Sequence, residues 1–229
     1  IEITARVATP DVYGGPYLGT CWIVKKLGSH KAIVATNRHV ADKFARADGL
    51  GGYALRSAVS SNLMAVWADF NGEYGSPTPR ELPVGKILFM SGDADPDIAL
   101  LEIEGQEIEA LEPLELETSK PAVGTKIGVV GYPAFDSRND SEVMQSYFGG
   151  VYNVKRYAYG DVIGISAEFP EFLHDATTLG GNSGSCVYDR GTGKVVGLHF
   201  SGVFSKANYA ILASEVAKAL TGLSTKIFV

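Results

Sequence analysis

Short apolar runs separated by glycines and polar turns make up most of this sequence, and long helical periodicity is scarce. Residues 19–24 (GTCWIV) and 31–36 (KAIVAT) are apolar runs with a turn at Gly28-Ser29 between them, which predicts two paired β-strands. Residues 41–47 are predicted to form one short helix, which the glycines at 49, 51 and 52 would end. Further strands are predicted in the first half at 53–69, 84–90 and 97–103.

The composition changes over residues 104–121, which are rich in acidic side chains and contain two prolines. We interpret this segment as a connector between two halves of the chain. In the second half, strands are predicted at 124–131, 143–165, 192–200 and 209–212. Residues 214–221 (SEVAKALT) carry the one convincing amphipathic helix pattern. Many short strands in two halves with a terminal helix predict an all-β protein with two β-barrels.

Composition and charge exclude several classes of protein. The 229 residues are 45% hydrophobic and 20% charged, which is ordinary for a soluble globular protein. A formal net charge of −6 and the lack of any Lys/Arg run argue against a nucleic-acid partner. No apolar run approaches the roughly 20 residues that a membrane-spanning helix needs. The start at Ile1 lacks a signal-peptide pattern, so we expect such a peptide to have been removed or never present.

The two cysteines, Cys21 and Cys186, do not form a metal-ligand pattern, because neither belongs to a CxxC pair. No metal site is predicted. Cys21 lies in an early apolar strand and Cys186 follows a glycine-rich turn, so the two could meet. A disulfide between them and two buried reduced thiols fit the sequence equally well.

Residues 180–185 (GGNSGS) carry the clearest chemical signal. The glycines permit a tight turn that projects a serine hydroxyl, and the N–H groups of Gly181 and Ser183 can point at one spot. One short segment would thus supply a nucleophile and an oxyanion hole. The alternative is a Gly/Ser surface loop, and a base with an orienting acid elsewhere decides between the two.

His39 is the candidate base, because it follows an apolar strand directly and can face a cleft. His30 lies in a turn and is expected to be solvated. Asp97 opens an apolar strand, so its carboxylate would require a hydrogen-bond donor. Asp93 and Asp95 are expected to be solvated loop residues. A calcium loop formed by the three aspartates is conceivable but lacks the downstream glycine and glutamate of a calcium hand.

The order His39, Asp97, Ser183 is that of the catalytic triad in chymotrypsin-like serine proteases. Three segments resemble that family's histidine, aspartate and serine motifs in the same order: TNRHV at 36–40, DIALLEI at 97–103 and GGNSGS at 180–185. The resemblance implies that Ser183 attacks the peptide carbonyl, that His39 takes its proton, and that Asp97 holds the imidazole. It also implies a peptide or protein substrate and no cofactor.

The resemblance to this family implies two six-stranded antiparallel β-barrels with the triad in the cleft between them. We assign residues 1–110 to an N-terminal barrel that carries the histidine and the aspartate. Residues 111–229 are assigned to a C-terminal barrel that carries the serine and ends with the helix. The resemblance favours a secreted or periplasmic location.

Within the family, the chain looks closest to bacterial glutamyl endopeptidases and their trypsin-like relatives, which share the asparagine found here at Asn182. Mammalian digestive members carry an aspartate at this place, which pairs with a freshly cut amino terminus. Asn182 offers no charge to Ile1, so we do not expect activation by that ion pair. The segment ahead of His39 is shorter than in the glutamyl enzymes, and Ile1 is therefore given no part in substrate binding.

Thr178 and His199 resemble the positions that bind the substrate carboxylate in glutamyl endopeptidases. A hydroxyl and an imidazole can donate hydrogen bonds to an anion, which predicts a preference for an acidic residue before the cut. Phe200, Ser201 and Gly202 are expected to form a strand edge on which the substrate backbone lies antiparallel.

Alternatives remain for both the pocket and the activity. His199 could be a satisfied core histidine. His174 could border the pocket, but it is interpreted as a loop residue without a partner. Asp175 could instead serve a basic substrate, whereas Lys206 would add positive potential. The chain could also be a catalytically silent peptide-binding relative, or a self-processing protease domain of a larger protein with non-acidic specificity.

Overall fold

Two closed β-barrels form the body of the protein. The computed structural model describes residues 4–8, 17–56, 65–76, 78–137, 139–203 and 206–226. Each barrel has six strands, and all neighbouring strands in both barrels are antiparallel. This architecture confirms the predicted fold class.

The first barrel is built in the order β1-β2-β3-β8-β7-β6. The elements of this half are β1 (Thr4–Ala8), β2 (Tyr17–Lys26), β3 (Lys31–Thr36), the helical turn α1 (Arg38–Ala41), β4 (Ala45–Ala47), β5 (Tyr53–Leu55), β6 (Trp67–Asp69), β7 (Glu81–Met90) and β8 (Ala99–Glu104). Strands β4 and β5 pair with each other outside the barrel.

The second barrel is built in the order β10-β11-β14-β13-β12-β9. The elements of this half are β9 (Lys126–Gly131), α2 (Ser141–Phe148), β10 (Arg156–Ile165), β11 (Glu171–His174), β12 (Cys186–Asp189), β13 (Val195–Val203), β14 (Ala207–Leu212) and α3 (Ala213–Lys226). No helix within the described ranges is both long and apolar enough to cross a membrane.

The continuous apolar runs in the first half are explained by strands that are buried on both faces. Along β2, Cys21 and Ile23 point into the first barrel, whereas Trp22 and Val24 point out of it. The outward residues join Val130, Leu198 and Val216 in a second core between the barrels and α3. Because both faces exclude water, neither face needs polar residues, and the usual alternation of a half-buried strand is lost. This shared core fixes one barrel against the other beneath the cleft.

The acidic segment predicted as a connector is attached to both barrels. It begins with a 3₁₀ helix, Gln106–Ala110. The N–H of Leu114 donates to the carbonyl of Ile23 in the first barrel at 3.1 Å. The N–H of Glu117 donates to the carbonyl of Val195 in the second barrel at 2.8 Å. The barrel strands themselves lie at or before residue 104 and from residue 126 onward, and the boundary at 110/111 stays a prediction.

The helix predicted over 41–47 is wrong, because the helical turn α1 comes earlier and β4 follows it. Phe44 and Ala45, the first residue of β4, are buried in the core cluster of the first half, so a hairpin that packs against this core replaces the expected helix. The single strand predicted over 53–69 is observed as β5 and β6, and residues 57–64 lie outside the described ranges.

The prediction of strands throughout 143–165 is wrong in its first part, where α2 is found. The Asp140 carboxylate accepts hydrogen bonds from the N–H groups of Glu142 at 3.0 Å and Val143 at 2.9 Å, and Gly149 ends the helix at φ +61°. These are ordinary helix-capping interactions, and both were visible as signals in the sequence.

The two cysteines are free thiols, so the reduced alternative is the one found. Both are buried, and the Cys186 Sγ lies 3.6 Å from the Thr4 Oγ1. Burial raises the pKa of both thiols. The fold therefore forms without a covalent link between its halves.

Candidate active site

His39 and Asp97 come together because β3 pairs with β8. The register sets Thr36, the last residue of β3, opposite Ala99, the first residue of β8. His39, three residues after β3, therefore lies beside Asp97, two residues before β8. The His39 Nδ1 lies 2.5 Å from the Asp97 Oδ2, and the His39 backbone N–H donates to Oδ1 at 2.9 Å. The Asn37 amide donates to the Asp97 carbonyl at 2.9 Å and fixes the loop.

This contact with Asp97 determines the proton arrangement on the His39 ring. A carboxylate accepts, so Nδ1 carries the proton and Nε2 is left with a free lone pair. The His39 side chain is 43% exposed, whereas that of Asp97 is 26% exposed. The imidazole therefore offers an acceptor nitrogen to the cleft while its other edge is held by the carboxylate.

Ser183 lies on a turn that two glycines make possible. Gly181 and Gly184 both have φ +90°, a backbone conformation that other residues rarely adopt. A Cβ at Gly184 would also collide with the Thr20 carbonyl oxygen. The Thr20 N–H in turn donates to the Ser183 carbonyl at 2.8 Å, which ties the turn to β2 of the first barrel.

Ser183 and His39 approach each other across β2. A Cβ at Gly19 would lie 2.7 Å from a Val40 methyl group and 2.9 Å from the Ser183 carbonyl oxygen, so Gly19 lets the two segments meet. Within the described ranges, no hydrogen bond joins the Ser183 hydroxyl to the His39 ring. Such bonds in enzymes without substrate are frequently long and tighten when the substrate binds.

The peptide between Gly180 and Gly181 is oriented by a neighbouring loop. The Ala134 N–H donates to the Gly180 carbonyl at 2.6 Å, and the Thr20 hydroxyl donates to the Gly181 carbonyl at 2.8 Å. In a planar trans peptide the N–H points opposite to the C=O, so the Gly181 N–H points away from Ala134. Neither this N–H nor that of Ser183 donates to a protein acceptor in the described part of the chain. Both donors are available to a ligand.

A cavity of about 360 Å³ opens beside Ser183. All five residues expected to contact substrate line it: Thr178, His199, Phe200, Ser201 and Gly202. Asn208 also lines it, and the sequence offered no signal for this residue, which lies on β14. The Thr178 hydroxyl donates to the Asn208 Oδ1 at 2.7 Å, and the Asn208 amide donates to the Ala176 carbonyl at 2.7 Å. The hydroxyl proton of Thr178 is therefore already used within the wall of the cavity.

The interpretation of His174 as a loop residue without a partner is wrong. It lies on β11, is fully buried, and its Nε2 is 3.2 Å from the His199 Nδ1. Strand β11 was not predicted, because its four residues (EFLH) are too few to show a period. The pairing arises because β14 lies between β11 and β13 in the sheet. Ala210 of β14 pairs with both Phe172 and His199, and His174 lies two residues beyond Phe172 on the same side of β11.

Burial keeps both histidine rings neutral. It lowers the pKa of His174 to about 4, against a smaller opposing effect of Asp175. Burial, followed by repulsion from His174 and from His39, holds the pKa of His199 well below its usual value. Across the hydrogen bond one ring must donate and the other accept.

We assign the donor to the His174 Nε2, because the opposite arrangement would leave a buried N–H on its Nδ1, which has no partner in the structure. His199 then accepts at Nδ1 and carries its own proton on Nε2. That N–H is the ring donor left for a ligand in the cavity.

The strand segment 200–202 has an open edge next to the cavity. Strand β12 pairs with β13 only as far as Leu198. His199 continues on that side through backbone hydrogen bonds with Gly184 and Ser185, both at 2.9 Å. Beyond it, Ser201 and Gly202 are exposed and pair only with β14 among the described strands. An extended peptide could add to this edge by backbone hydrogen bonds.

Comparisons with known proteins agree with this geometry. A family model described as "Trypsin-like peptidase domain" matches residues 19–198. A probable serine protease of Lysobacter enzymogenes is 24% identical over an alignment of 250 positions, gaps included, that covers 96% of this chain and 62% of that protein. The chain thus spans less than two thirds of that relative's length.

Two solved structures share the fold. Deg5 is 22% identical with a TM-score of 0.62, and the match covers 95% of this chain and 86% of Deg5. The active form of the Rv3671c protease from M. tuberculosis is 18% identical with a TM-score of 0.57, and the match covers 96% of this chain and 80% of that chain. The family match extends over most of the sequence, from β2 in the first barrel to β13 in the second. The chain therefore belongs to the family of trypsin-like peptidase domains and is a serine protease domain with the chymotrypsin-like fold.

Proposed function

We propose that this domain is an endopeptidase in which Ser183, His39 and Asp97 form a catalytic triad. The observation that carries the proposal is the 2.5 Å contact between His39 and Asp97, which leaves Nε2 as an acceptor on the side of the cleft. Ser183 lies across that cleft on a glycine turn with two unused N–H groups. A base, an orienting acid, a nucleophile and an oxyanion hole are the groups that acyl transfer requires.

The reaction follows from these roles. The Ser183 Oγ attacks the substrate carbonyl carbon while the His39 Nε2 takes the hydroxyl proton. The Asp97 carboxylate stabilises the imidazolium, and the N–H groups of Gly181 and Ser183 hold the carbonyl oxygen as it becomes negative. His39 then gives its proton to the amine that leaves, which produces an acyl-enzyme. Water, deprotonated by His39, cleaves the ester and restores the serine.

Labelling with a fluorophosphonate probe tests the nucleophile. We expect the folded protein to be labelled at Ser183, because an adjacent base raises the reactivity of the hydroxyl. Peptide mapping separates this site from Ser185, a fully buried serine two residues along that serves as an internal control. Heat-denatured protein should not react. Failure of the folded protein to react would support the catalytically silent peptide-binding alternative.

We further propose that the cavity accepts an acidic side chain and that His199 recognises it. The His199 Nε2–H is left free by the contact with His174, and a carboxylate is a stronger acceptor for it than an amide oxygen. Thr178 contributes less than its position suggested, because its proton goes to Asn208. The closeness to glutamyl endopeptidases stays a prediction that this preference would support.

At neutral pH, kcat/KM should be about tenfold higher for a substrate with glutamate before the cut than for the matching glutamine substrate. This factor corresponds to the extra strength of a hydrogen bond to a charged group. A bound carboxylate favours the protonated form of His199, whose pKa is held low in the empty cavity. The ratio of kcat/KM for the two substrates should therefore rise as the pH falls from 8 to about 6.

A peptide library that varies the residue before the cut, together with matched Glu and Gln substrates, measures this preference. In the variant His199→Gln the ratio should lose its pH dependence. A preference for Lys or Arg, or a ratio that does not change with pH in the wild-type protein, would contradict the assignment of His199.

A further inference from the structure

A buried ion pair lies at the seam of the first barrel. Asp69, at the end of β6, is fully buried, and the Arg6 side chain is 14% exposed. The Arg6 Nε and Nη2 both contact the Asp69 Oδ2, at 2.8 and 2.6 Å. The other carboxylate oxygen accepts the N–H groups of Asn71 and Arg80, each at 3.0 Å. These contacts fix the plane of the guanidinium group.

The remaining guanidinium nitrogen of Arg6 reaches out of the first barrel. Its Nη1 donates to the Asn153 carbonyl at 2.8 Å, in the loop that follows α2. The ring of Tyr17 lies 3.9 Å from the guanidinium carbon. A Cβ at Gly72 would be 2.8 Å from Nε, so the group has no space to shift on that side. Arg6 is thereby a rigid support for one carbonyl of the other half.

Asn153 connects Arg6 to the glycine turn that carries Ser183. Among the non-glycine residues that the structure describes, it is the one with a positive φ, +58°. This conformation directs its N–H to the Pro133 carbonyl at 2.8 Å. Ala134, the residue after Pro133, donates its backbone N–H to the Gly180 carbonyl at 2.6 Å. A continuous series of hydrogen bonds thus runs from Asp69 to the peptide whose N–H faces the cleft.

That peptide needs an external constraint, because the glycines on both sides of it, Gly180 and Gly181, allow more backbone conformations than other residues do. If the Ala134 N–H were withdrawn, the peptide could turn over and direct the Gly180 carbonyl to the place where the substrate oxygen must bind. The oxyanion hole would lose a donor and gain an acceptor. The orientation of one peptide therefore depends on the position of the loop that Asn153 holds.

We propose that Arg6, held by Asp69, is a positioning residue that keeps the oxyanion peptide in its productive orientation through Asn153 and Ala134. The inference rests on the proposed function, because it concerns the same oxyanion hole. According to this inference, the Arg6–Asp69 ion pair, although remote from the triad, affects kcat and not only the stability of the fold.

Lys155 provides a matched control for the loss of a buried cation between the barrels. It lies on the same loop, and its side chain is 3% exposed. Its Nζ donates to the Phe70 carbonyl at 2.8 Å and contacts Glu73 at 3.2 Å. None of these side-chain contacts leads to the loop at Pro133. Lys155→Met therefore removes a buried cation from the same loop while the series of hydrogen bonds stays intact.

The experiment compares Arg6→Gln with Lys155→Met, well below the unfolding transition of each variant. With the best peptide amide from the library, kcat of Arg6→Gln should fall about 10- to 100-fold, and KM should change less than about threefold. The affinity for the matching peptide aldehyde should fall by the same factor, because the oxygen of its adduct occupies the oxyanion hole. Lys155→Met should stay within about threefold of wild type in all three quantities.

A second pair of variants covers the case in which Arg6→Gln does not fold. Asn153→Gly keeps the left-handed conformation and should retain kcat, whereas Asn153→Val opposes it and should lower kcat toward the value expected for Arg6→Gln. Equal losses in Arg6→Gln and Lys155→Met, or a loss confined to KM, would overturn the inference while the triad stands. A wild-type protein that is neither labelled at Ser183 nor active would overturn the proposed function and this inference together.

Discussion

Ser183→Ala should lower kcat about 10⁶-fold, which is the largest effect expected from any single substitution. Without the Oγ, no acyl-enzyme can form, and His39 and Asp97 have no proton to move. The oxyanion hole and the binding of substrate remain, so a residual rate of about 10³ to 10⁴ over water is expected. The measurement is turnover of the best amide substrate, with the protein concentration set by absorbance.

The fold should tolerate this change. The contacts of the Ser183 turn with the first barrel are made by its backbone carbonyl, which accepts from Thr20 at 2.8 Å. Ser185→Ala is the matched control, because Ser185 is fully buried and, within the described ranges, its hydroxyl makes one long contact of 3.5 Å with Asn182. Full peptidase activity in Ser183→Ala would end the proposed mechanism.

Asp97→Asn should lower kcat about 10⁴-fold with little change in KM. An asparagine at this position would direct an amide N–H at the His39 Nδ1, which forces the ring proton onto Nε2. The nitrogen that faces the cleft could then no longer accept a proton from Ser183. The imidazolium would also lose the carboxylate that now lies 2.5 Å away.

Asp95→Asn is the control for Asp97→Asn. Asp95 is exposed two residues earlier in the same loop, and among the described residues its carboxylate accepts one hydrogen bond, from the Gly92 N–H at 3.2 Å. Its replacement should leave the kinetic constants near those of wild type. If both variants lost activity equally, the loop rather than the tautomer of His39 would be responsible.

The groups proposed to carry the chemistry could be picked out from the sequence because each lies in a short local motif. His39 follows a strand directly, Asp97 precedes one, and the glycines around Ser183 announce a turn. The caps of α2 at Asp140 and Gly149 are equally local signals, which the strand predicted over 143–165 does not take into account. Local chemistry is what a sequence displays most directly.

The walls of the site could not be read in the same way. Asn208 meets Thr178 across 30 residues, and His174 meets His199 across 25, because both contacts depend on which strands become neighbours. The distance from Arg6 to Asn153 along the chain is longer still, 147 residues. Polar residues of this kind form no periodic pattern and no fixed spacing in the sequence. Only the closed barrels show which of them face each other.

The two thiols have a practical consequence for following how this protein opens. Cys21 belongs to the interior of the first barrel, and Cys186 belongs to the core that the two barrels and the last helix share. An alkylating reagent reacts with a thiolate that solvent can reach. In the native fold, burial raises the pKa of both thiols and also shields them from solvent. The alkylation rate of Cys21 would thus report opening of the first barrel, and the alkylation rate of Cys186 would report separation of the two barrels.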